Sequence, residues 1–331
     1  MTAPHPAVAA ARSAVRGAVE VLPPGTRLWV ACSGGPDSLA LTAATAFVAR
    51  KLGFVAGAIV VDHGLRKDSG RVALDATDQC RLAGMATVFV EKVRVGKEGG
   101  VEAAARVARY DAIDRRVLAE GGLNPQILLG HTMDDQAETV LLALARGSGA
   151  RALSGMSPRR GSILRPFLGL RRKDTVAACE ALGLTPWLDP MNEPGEGSKR
   201  SDLRGRVMPL LSEVLGPGVV PGLARSAALL QADADELDRQ ARRIGDSTPI
   251  DAWSVEALSE LPEAIRGRIL KLLAERIGAG PLTSSHVSAI DQLVINYRGQ
   301  GAVSLPGGFE ARREYGRLVV VGSDDGRSSA S

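Results

Sequence analysis

Val30-Ala31-Cys32-Ser33-Gly34-Gly35-Pro36-Asp37-Ser38-Leu39-Ala40-Leu41 is the stretch on which the reading of the chain turns. Residues 26–31 before it are mostly apolar and predict a short buried strand. Residues 39–52 after it are rich in Ala and Leu, contain no breaker, and predict a helix. Between them, Gly34 and Gly35 allow a sharp turn and a close approach of backbone to ligand. A helix beginning here leaves its first N–H groups unpaired and its positive dipole end outward. Strand, glycine turn and helix N-terminus together make a cradle for an oxyanion or a phosphate. Ser33 and Ser38 add hydroxyl donors, and Asp37 can hold a cation beside the phosphates. The plainer reading is a capped turn, in which Ser or Asp satisfies the helix N–H groups.

No G-x-x-x-x-G-K-[ST] occurs, so this is not a Walker loop, and a dinucleotide fingerprint would need G-x-G-x-x-G. The run Ser33-Gly34-Gly35-Pro36-Asp37-Ser38 resembles, at all six positions, the PP-loop of the ATP pyrophosphatase superfamily. That resemblance implies an enzyme that cleaves ATP between the α and β phosphates. It also implies activation of an oxygen by adenylation, with pyrophosphate held in this loop.

The totals bound the answer. A chain of 331 residues is long enough for two domains. Hydrophobic residues at 45% and charged residues at 24% are ordinary for a globular protein. Aromatics at 3% leave the core to Leu, Val, Ile and Ala. A formal charge of +4 and a pI near 9.1 permit a nucleic-acid partner without demanding one. No apolar run of about 18 residues occurs, so no membrane partner is expected. No secretory signal is visible at the N-terminus. Cys32, Cys80 and Cys179 stand far apart with no C-x-x-C, which argues for a reducing cytoplasm and against a metal cluster. Cys80 and Cys179 are expected as plain core residues.

Strand-like and helix-like segments alternate through the first half. Helices are predicted over 7–22, 39–52, 69–83, 101–120, 134–146 and 171–183, and strands over 26–31, 54–61, 87–93, 126–130 and 163–165. The continuous apolar run 54–61 suits a parallel strand covered on both faces. This is an α/β pattern, a doubly wound, Rossmann-like parallel sheet. Beyond Gly216-Pro217-Gly218 a smaller, mainly helical C-terminal domain follows. Its helices are predicted over 222–244, 255–277 with a break near Pro262, and 285–296, capped by Ser284 or Ser285. Strands over 302–305 and 317–321 flank a Gly-rich turn as a terminal hairpin. The domains expected are therefore 1–215 and 216–325, with 326–331 a disordered tail.

In a doubly wound sheet the ligand lies beyond the carboxyl ends of the strands. That rule picks out the glycine turn, Asp62-His63-Gly64-Leu65, and Gly130-His131-Thr132-Met133-Asp134-Asp135-Gln136-Ala137-Glu138. In the last, Asp134, Asp135 and Glu138 crowd one helix start. Dipole compensation is the plain reading. Three acids beside a histidine exceed what compensation needs, and Mg²⁺ with a bound triphosphate would employ them. Glu102 and Arg106, four apart, read either as a surface ion pair or as an arginine facing charge on an α-phosphate. Residues 151–215 carry eleven Lys/Arg against seven Asp/Glu, a surplus equal to the charge of the whole chain. Either a solvated surface or a polyanion partner answers to that.

The segments GVEAAARVARY, GHTMDDQAETVLLALARGSGARALSGM, LRPFLGLRR and LRGRVMPLL follow the PP-loop in order. Over about residues 27–240 this resembles the tRNA(Ile)-lysidine synthetase family. VDHGLR is similar to that family's H-H-G-L segment, with Asp62 at its first histidine. Arg200-Ser201-Asp202-Leu203-Arg204 stands where the family usually shows R-N-x-[FIL]-R. The resemblance implies that ATP and Mg²⁺ are used, with Ser33, Gly34, Gly35, Pro36, Asp37 and Ser38 on the phosphates. Asp62, His63 and Gly130 would line the nucleotide site. Asp37, Arg106, His131, Asp135 and Glu138 would carry the chemistry, with Asp37 and Asp135 on the metal. Residues 1–215 would be the catalytic domain and 216–325 the tRNA-binding one. The partners implied are isoleucine tRNA with a CAU anticodon and free L-lysine, with room for a homodimer. The cytidine O2 would attack the α-phosphate, and lysine would then displace AMP at C2 to give lysidine. tRNA thiolation, by contrast, would ask for a cluster-binding or sulfur-carrying cysteine set that is not seen. An amidotransferase would ask for a glutaminase unit. A nucleotide sensor without turnover would not need both S-G-G-P-D-S and D-D-Q-A-E.

Overall fold

The computed structural model describes residues 3–64, 66, 68–96, 101–190, 195, 199–247 and 253–322. In chain order the first elements are α1 (Pro6–Val19), β1 (Thr26–Cys32), α2 (Pro36–Leu52), β2 (Val55–Asp62), α3 (Ser69–Leu82) and β3 (Thr87–Lys92). Then come α4 (Val101–Glu120), β4 (Leu123–Leu128), α5 (Met133–Leu144), α6 (Ala150–Leu153), β5 (Arg159–Arg160), β6 (Ile163–Leu164) and α7 (Arg172–Ala181). α8 (Lys199–Asp202) and α9 (Met208–Leu215) are joined by a π turn, and α10 (Val219–Ser247) follows. The remainder is α11 (Val255–Ser259), α12 (Glu263–Ile277), α13 (Ser284–Ile295), β7 (Val303–Leu305), β8 (Phe309–Glu314) and β9 (Arg317–Gly322).

Two compact units result. One comprises residues 1–147 and 153–228, the other 148–152 and 229–331, so the division falls inside α10. The tail expected at 326–331 lies outside the described residues.

The first unit is built on a sheet of order β3-β2-β1-β4-β6-β5, parallel except for β5 against β6. Period-two alternation explains its two covered faces. Leu28, Val30 and Cys32 of β1, Ala58 and Val60 of β2, and Leu128 of β4 join a core with α1, α2, α3 and α7. Trp29, Ile59 and Ile127 point the other way, onto Ile113 and Val117 of α4. Residues 54–61 are continuously apolar for this reason. The chain leaves β1 towards β2 and β3 and returns on its other side as β4, so the sheet reverses direction between β1 and β4. The carboxyl ends of those two strands hold the candidate site.

In the second unit, α12 and α13 pack with Trp253, Val255 and Leu258 and with Leu305, Ala311 and Leu318 of a small antiparallel sheet. Two expectations are corrected there. The terminal element is a three-stranded sheet, β7-β8-β9, rather than a hairpin. Phe309-Glu310-Ala311-Arg312-Arg313-Glu314 carries little strand signal, because five of its six side chains stay partly exposed and four are charged. The cap of α13 is Thr283, whose hydroxyl accepts from the His286 N–H, rather than Ser284 or Ser285. Among three adjacent hydroxyl residues, only the backbone angles decide which one caps.

Candidate active site

β1 ends at Cys32 and α2 begins at Pro36, so the glycine turn spans the gap between sheet and helix. Gly34 has φ +84°, where a side chain is strained, and a Cβ there would lie 3.0 Å from Ala76 Cβ. Its carbonyl accepts from the Trp187 N–H at 2.9 Å. Ser38 Oγ ties the turn together. It accepts from the Ser33 N–H at 3.2 Å and donates to the Gly35 carbonyl at 3.0 Å. α2 itself starts at Gly35 with no side-chain cap, so the capped-turn reading is not what the chain adopts. The N–H groups at the start of α2 could therefore hold an anion.

Gly130, just past β4, closes the other side. A Cβ on it would stand 3.0 Å from the Asp37 carbonyl carbon and oxygen and 3.1 Å from the Ser38 nitrogen. Glycine lets the end of β4 lie this close to the first turn of α2, and a Cβ would require backbone to give by a few tenths of an ångström. α5 then starts with a capping box. Thr132 Oγ1 accepts from the Asp135 N–H, and Asp135 Oδ2 accepts from the Thr132 N–H at 2.7 Å and its hydroxyl at 2.9 Å. The cap fixes one oxygen of Asp135 and leaves Oδ1 pointing at arginines.

Two arginines gather the acids. Arg172 Nη2 lies 3.0 Å from Asp37 Oδ2 and 3.1 Å from Asp135 Oδ1, so one nitrogen bridges both carboxylates. Arg204 Nη2 donates to Asp135 Oδ1 at 3.1 Å, and its Nε and Nη2 grip the fully buried Glu138 at 2.7 and 3.0 Å. Thr175 Oγ1 donates to the remaining Asp37 oxygen. Burial raises the Asp37 carboxyl to about 6 against the pull of Arg172 and Thr175. Burial also raises Glu138, opposed by Arg204. Asp134 faces away from this cluster, gripped by Arg171 and by the Arg172 N–H at 2.8 Å.

His131 is half-buried, and burial lowers it to about 4, so its ring is neutral near pH 7. Its Nδ1 is buried with no partner among the described residues. Asp62, at the end of β2, accepts from the Gly64 N–H at 3.0 Å. His63 Nε2 accepts from Arg109 Nε at 3.1 Å, and burial, with Arg109 beside it, lowers His63 to about 4. Arg106 is exposed and lies over the Tyr110 ring, 5.1 Å from its centroid. The Asp37–Asp135–Glu138 group and the glycine turn thus come together, while Arg106 lies over Tyr110 with no hydrogen bond or ion pair to them among the described residues. The side chain of Glu102, its suggested ion-pair partner, lies outside the described residues.

Sequence reasoning did not single out Arg172 as a partner of Asp37 and Asp135, nor Arg204 as the partner of Glu138. Both sit in quoted segments, LRPFLGLRR and LRGRVMPLL, and a buried acid cluster requires cations. The pairing itself is hidden, because Arg172 and Arg204 lie 37 and 69 residues from Asp135.

As to a metal, Asp37 and Asp135 already share a single cationic nitrogen. Two carboxylates facing one positive charge suit a hard cation such as Mg²⁺. Among the described residues no group of three His, Cys, Asp or Glu surrounds a common point. The protein would thus supply two ligands, the usual share where Mg²⁺ is also held by phosphates and water.

No single helix among the described residues is long and apolar enough to cross a membrane. The family model of a PP-loop domain matches residues 11–211, and that of a TilS substrate binding domain matches residues 254–319. Among solved structures, U34-tRNA thiolase NcsA from Methanococcus maripaludis, with its [4Fe-4S] cluster, aligns with TM-score 0.55 and 18% identity. That match covers 68% of this chain and 80% of the other, a likeness of fold. Two tRNA(Ile)-lysidine synthases are far nearer in sequence. That of Salinispora arenicola is 50% identical, covering 97% of this chain and 98% of its own. That of Thermobifida fusca is 48% identical, covering 97% and 99%. With both family models in sequence order and near-half identity over almost the whole length, the chain belongs to the tRNA(Ile)-lysidine synthase family.

Proposed function

We propose that this enzyme uses ATP to join free L-lysine to C2 of the wobble cytidine of an isoleucine tRNA bearing a CAU anticodon, forming lysidine. The observation that carries the reading is the convergence of Asp37 and Asp135, from the starts of α2 and α5, on one guanidinium nitrogen beside an uncapped helix N-terminus. That arrangement supports a site where a triphosphate and a cation meet. The activity of its tRNA(Ile)-lysidine synthase relatives supports the choice of substrate.

In this reading the N–H groups of the turn Ser33–Ser38 hold the phosphates, and Asp37 and Asp135 would hold Mg²⁺. When bound, the ion neutralises charge on the phosphate oxygens. Asp62, His63 and Gly130 line the nucleotide. The cytidine, out of its stack as an anticodon loop permits, presents O2 to the α-phosphorus. An O–P bond forms, the bond to the β-phosphate oxygen breaks, and pyrophosphate stays with the turn. The lysine amine then adds at C2, AMP departs with the C2 oxygen, and the amine loses a proton. Neutral His131, with its unpartnered Nδ1, is available to take a proton or a hydrogen bond here. Arg106 is assigned to the charge growing on the transferring phosphoryl group, which requires it to turn from Tyr110. Glu138 acts through Arg204, holding it against Asp135. Residues 216–325 serve as the tRNA-binding domain. The cytoplasm is the proposed compartment. A homodimer is the proposed assembly, supported by the apolar side chains Leu210, Val214 and Leu215 that α9 leaves exposed.

The test is direct. Protein, ATP, Mg²⁺, labelled lysine and the tRNA transcript are incubated, and label on RNA is counted. ATP- and cytidine-dependent incorporation, lost in Asp37→Ala together with AMP release, is the expected result. AMP release without labelled RNA would keep the adenylation chemistry and reject lysine as the nucleophile.

A further inference from the structure

β8 and β9 are joined by a two-residue turn, since Glu314 and Arg317 are paired and only Tyr315 and Gly316 lie between them. Both central residues have positive φ, +46° at Tyr315 and +76° at Gly316. This is the hairpin turn that favours Asn-Gly or Asp-Gly, because an L side chain is strained at its first central position. Among the described residues, one other non-glycine has positive φ. It is Asn124, the residue type that suits the conformation. At 315 the chain instead carries an aromatic, one of only three tyrosines. Its side chain contributes nothing to the core, being 103% exposed relative to a free residue.

A large flat ring, strained in its backbone and held wholly in water, is a poor choice for the fold. It is a good choice for a ligand that presents a flat face. The neighbouring charges are mostly basic. Arg312, Arg313 and Arg317 flank the tip; Arg312 is paired with Glu314 at 2.7 Å, and the Arg313 guanidinium lies 4.8 Å over the half-exposed Tyr297 ring. Aromatic faces interleaved with arginines are the pattern of single-stranded nucleic-acid contact, in which bases stack on rings and cations serve phosphates. A paired helix hides its base faces, so the occupant is an unpaired base. The tip also falls within the stretch 254–319 matched as a substrate binding domain.

We infer that Tyr315 is a stacking platform for one unpaired nucleobase of the tRNA substrate, from a loop or from the 3′ end. This rests on the proposed tRNA substrate. Stacking of this kind contributes enough that removing the ring weakens binding about five-fold or more.

The experiment compares Tyr315→Asn, Tyr315→Trp and the unaltered full-length enzyme by thermal melting and by tRNA Kd. Asn suits the turn, so Tyr315→Asn is expected to melt no lower, and about 2–5 °C higher if the strain is fully relieved. Its tRNA Kd is expected to rise five-fold or more, with the KM for lysine unchanged. Tyr315→Trp is expected to keep wild-type tRNA affinity. A purely structural tyrosine cannot give a firmer fold with weaker RNA binding. Repeating the Kd with an isolated anticodon stem-loop and with tRNA trimmed of its 3′ single strand identifies the base. Loss of sensitivity to Tyr315→Asn on trimming points to the 3′ end, and persistence in the stem-loop points to the anticodon loop. Wild-type Kd in Tyr315→Asn, while lysine is still transferred to tRNA, overturns the inference alone. Failure of the unaltered enzyme to bind the tRNA overturns it together with the functional reading.

Discussion

Asp37 carries opposed forces on one carboxyl. Burial raises it to about 6, and Arg172 and Thr175 pull it down. Its folded value therefore lies above the unfolded 3.8. Between about pH 4 and 6 the folded state holds a proton that the unfolded state has released, so this carboxyl's contribution to stability is greatest below pH 4 and is lost as pH rises through 6. Activity should run the other way, because the proposed metal ligand is the ionised form. The profile of kcat/KM for ATP is expected to rise across pH 5–7 with an inflection near 6, which initial rates of AMP release would measure. His131, held to about 4, is already neutral over that range and adds no second inflection there. At this scale the sequence disclosed the acids better than the bases. Asp37 and Asp135 stand next to glycine turns at strand ends, a local signal. Arg172 and Arg204 reach them only through the return of the chain by α7 and the π turn, which no spacing encodes.

Between elements, the tightest tolerance is where β4 meets α2. Gly130 is expected to admit no Cβ, since Asp37 backbone atoms stand 3.0 Å away and cannot swing aside as a side chain could. Gly130→Ala should push the start of α2 off the end of β4 and cut AMP formation by at least about ten-fold, while far-UV circular dichroism stays that of a folded protein. An unchanged rate would show that the two elements have slack. The doubly wound order was legible because continuous apolar runs such as 54–61 are what strands covered on both faces require. β8 was not legible, since a charged six-residue strand on a small sheet has one fully buried side chain, Ala311, to announce it. α11 and α12 were read as one broken helix, and Pro262 divides them as it should.

For the whole molecule, charge decides how a polyanion is met. Arg159, Arg160, Lys173, Lys199 and Arg206 are exposed, all within the stretch 151–215 that carries a surplus of four positive charges. If about four phosphates are neutralised, raising salt from about 50 to 200 mM should weaken tRNA binding by roughly 100-fold. The KM for lysine, which carries no phosphate, should barely move. Filter binding and initial rates across a salt series would check both.

The same chain order has a consequence in time. The glycine turn is complete by Ser38, yet its fastenings come much later. Arg172 and Thr175 hold Asp37, the Cys179 thiol donates to the Pro36 carbonyl, and Trp187 donates to the Gly34 carbonyl. At 5–20 residues per second, a ribosome needs roughly 7–30 s to pass from the turn to its last fastening. Throughout that interval the nascent chain carries the proposed phosphate cradle without its lock. On the proposed function, a half-made polypeptide is expected to spend no ATP until the segment through Trp187 has been synthesised and docked.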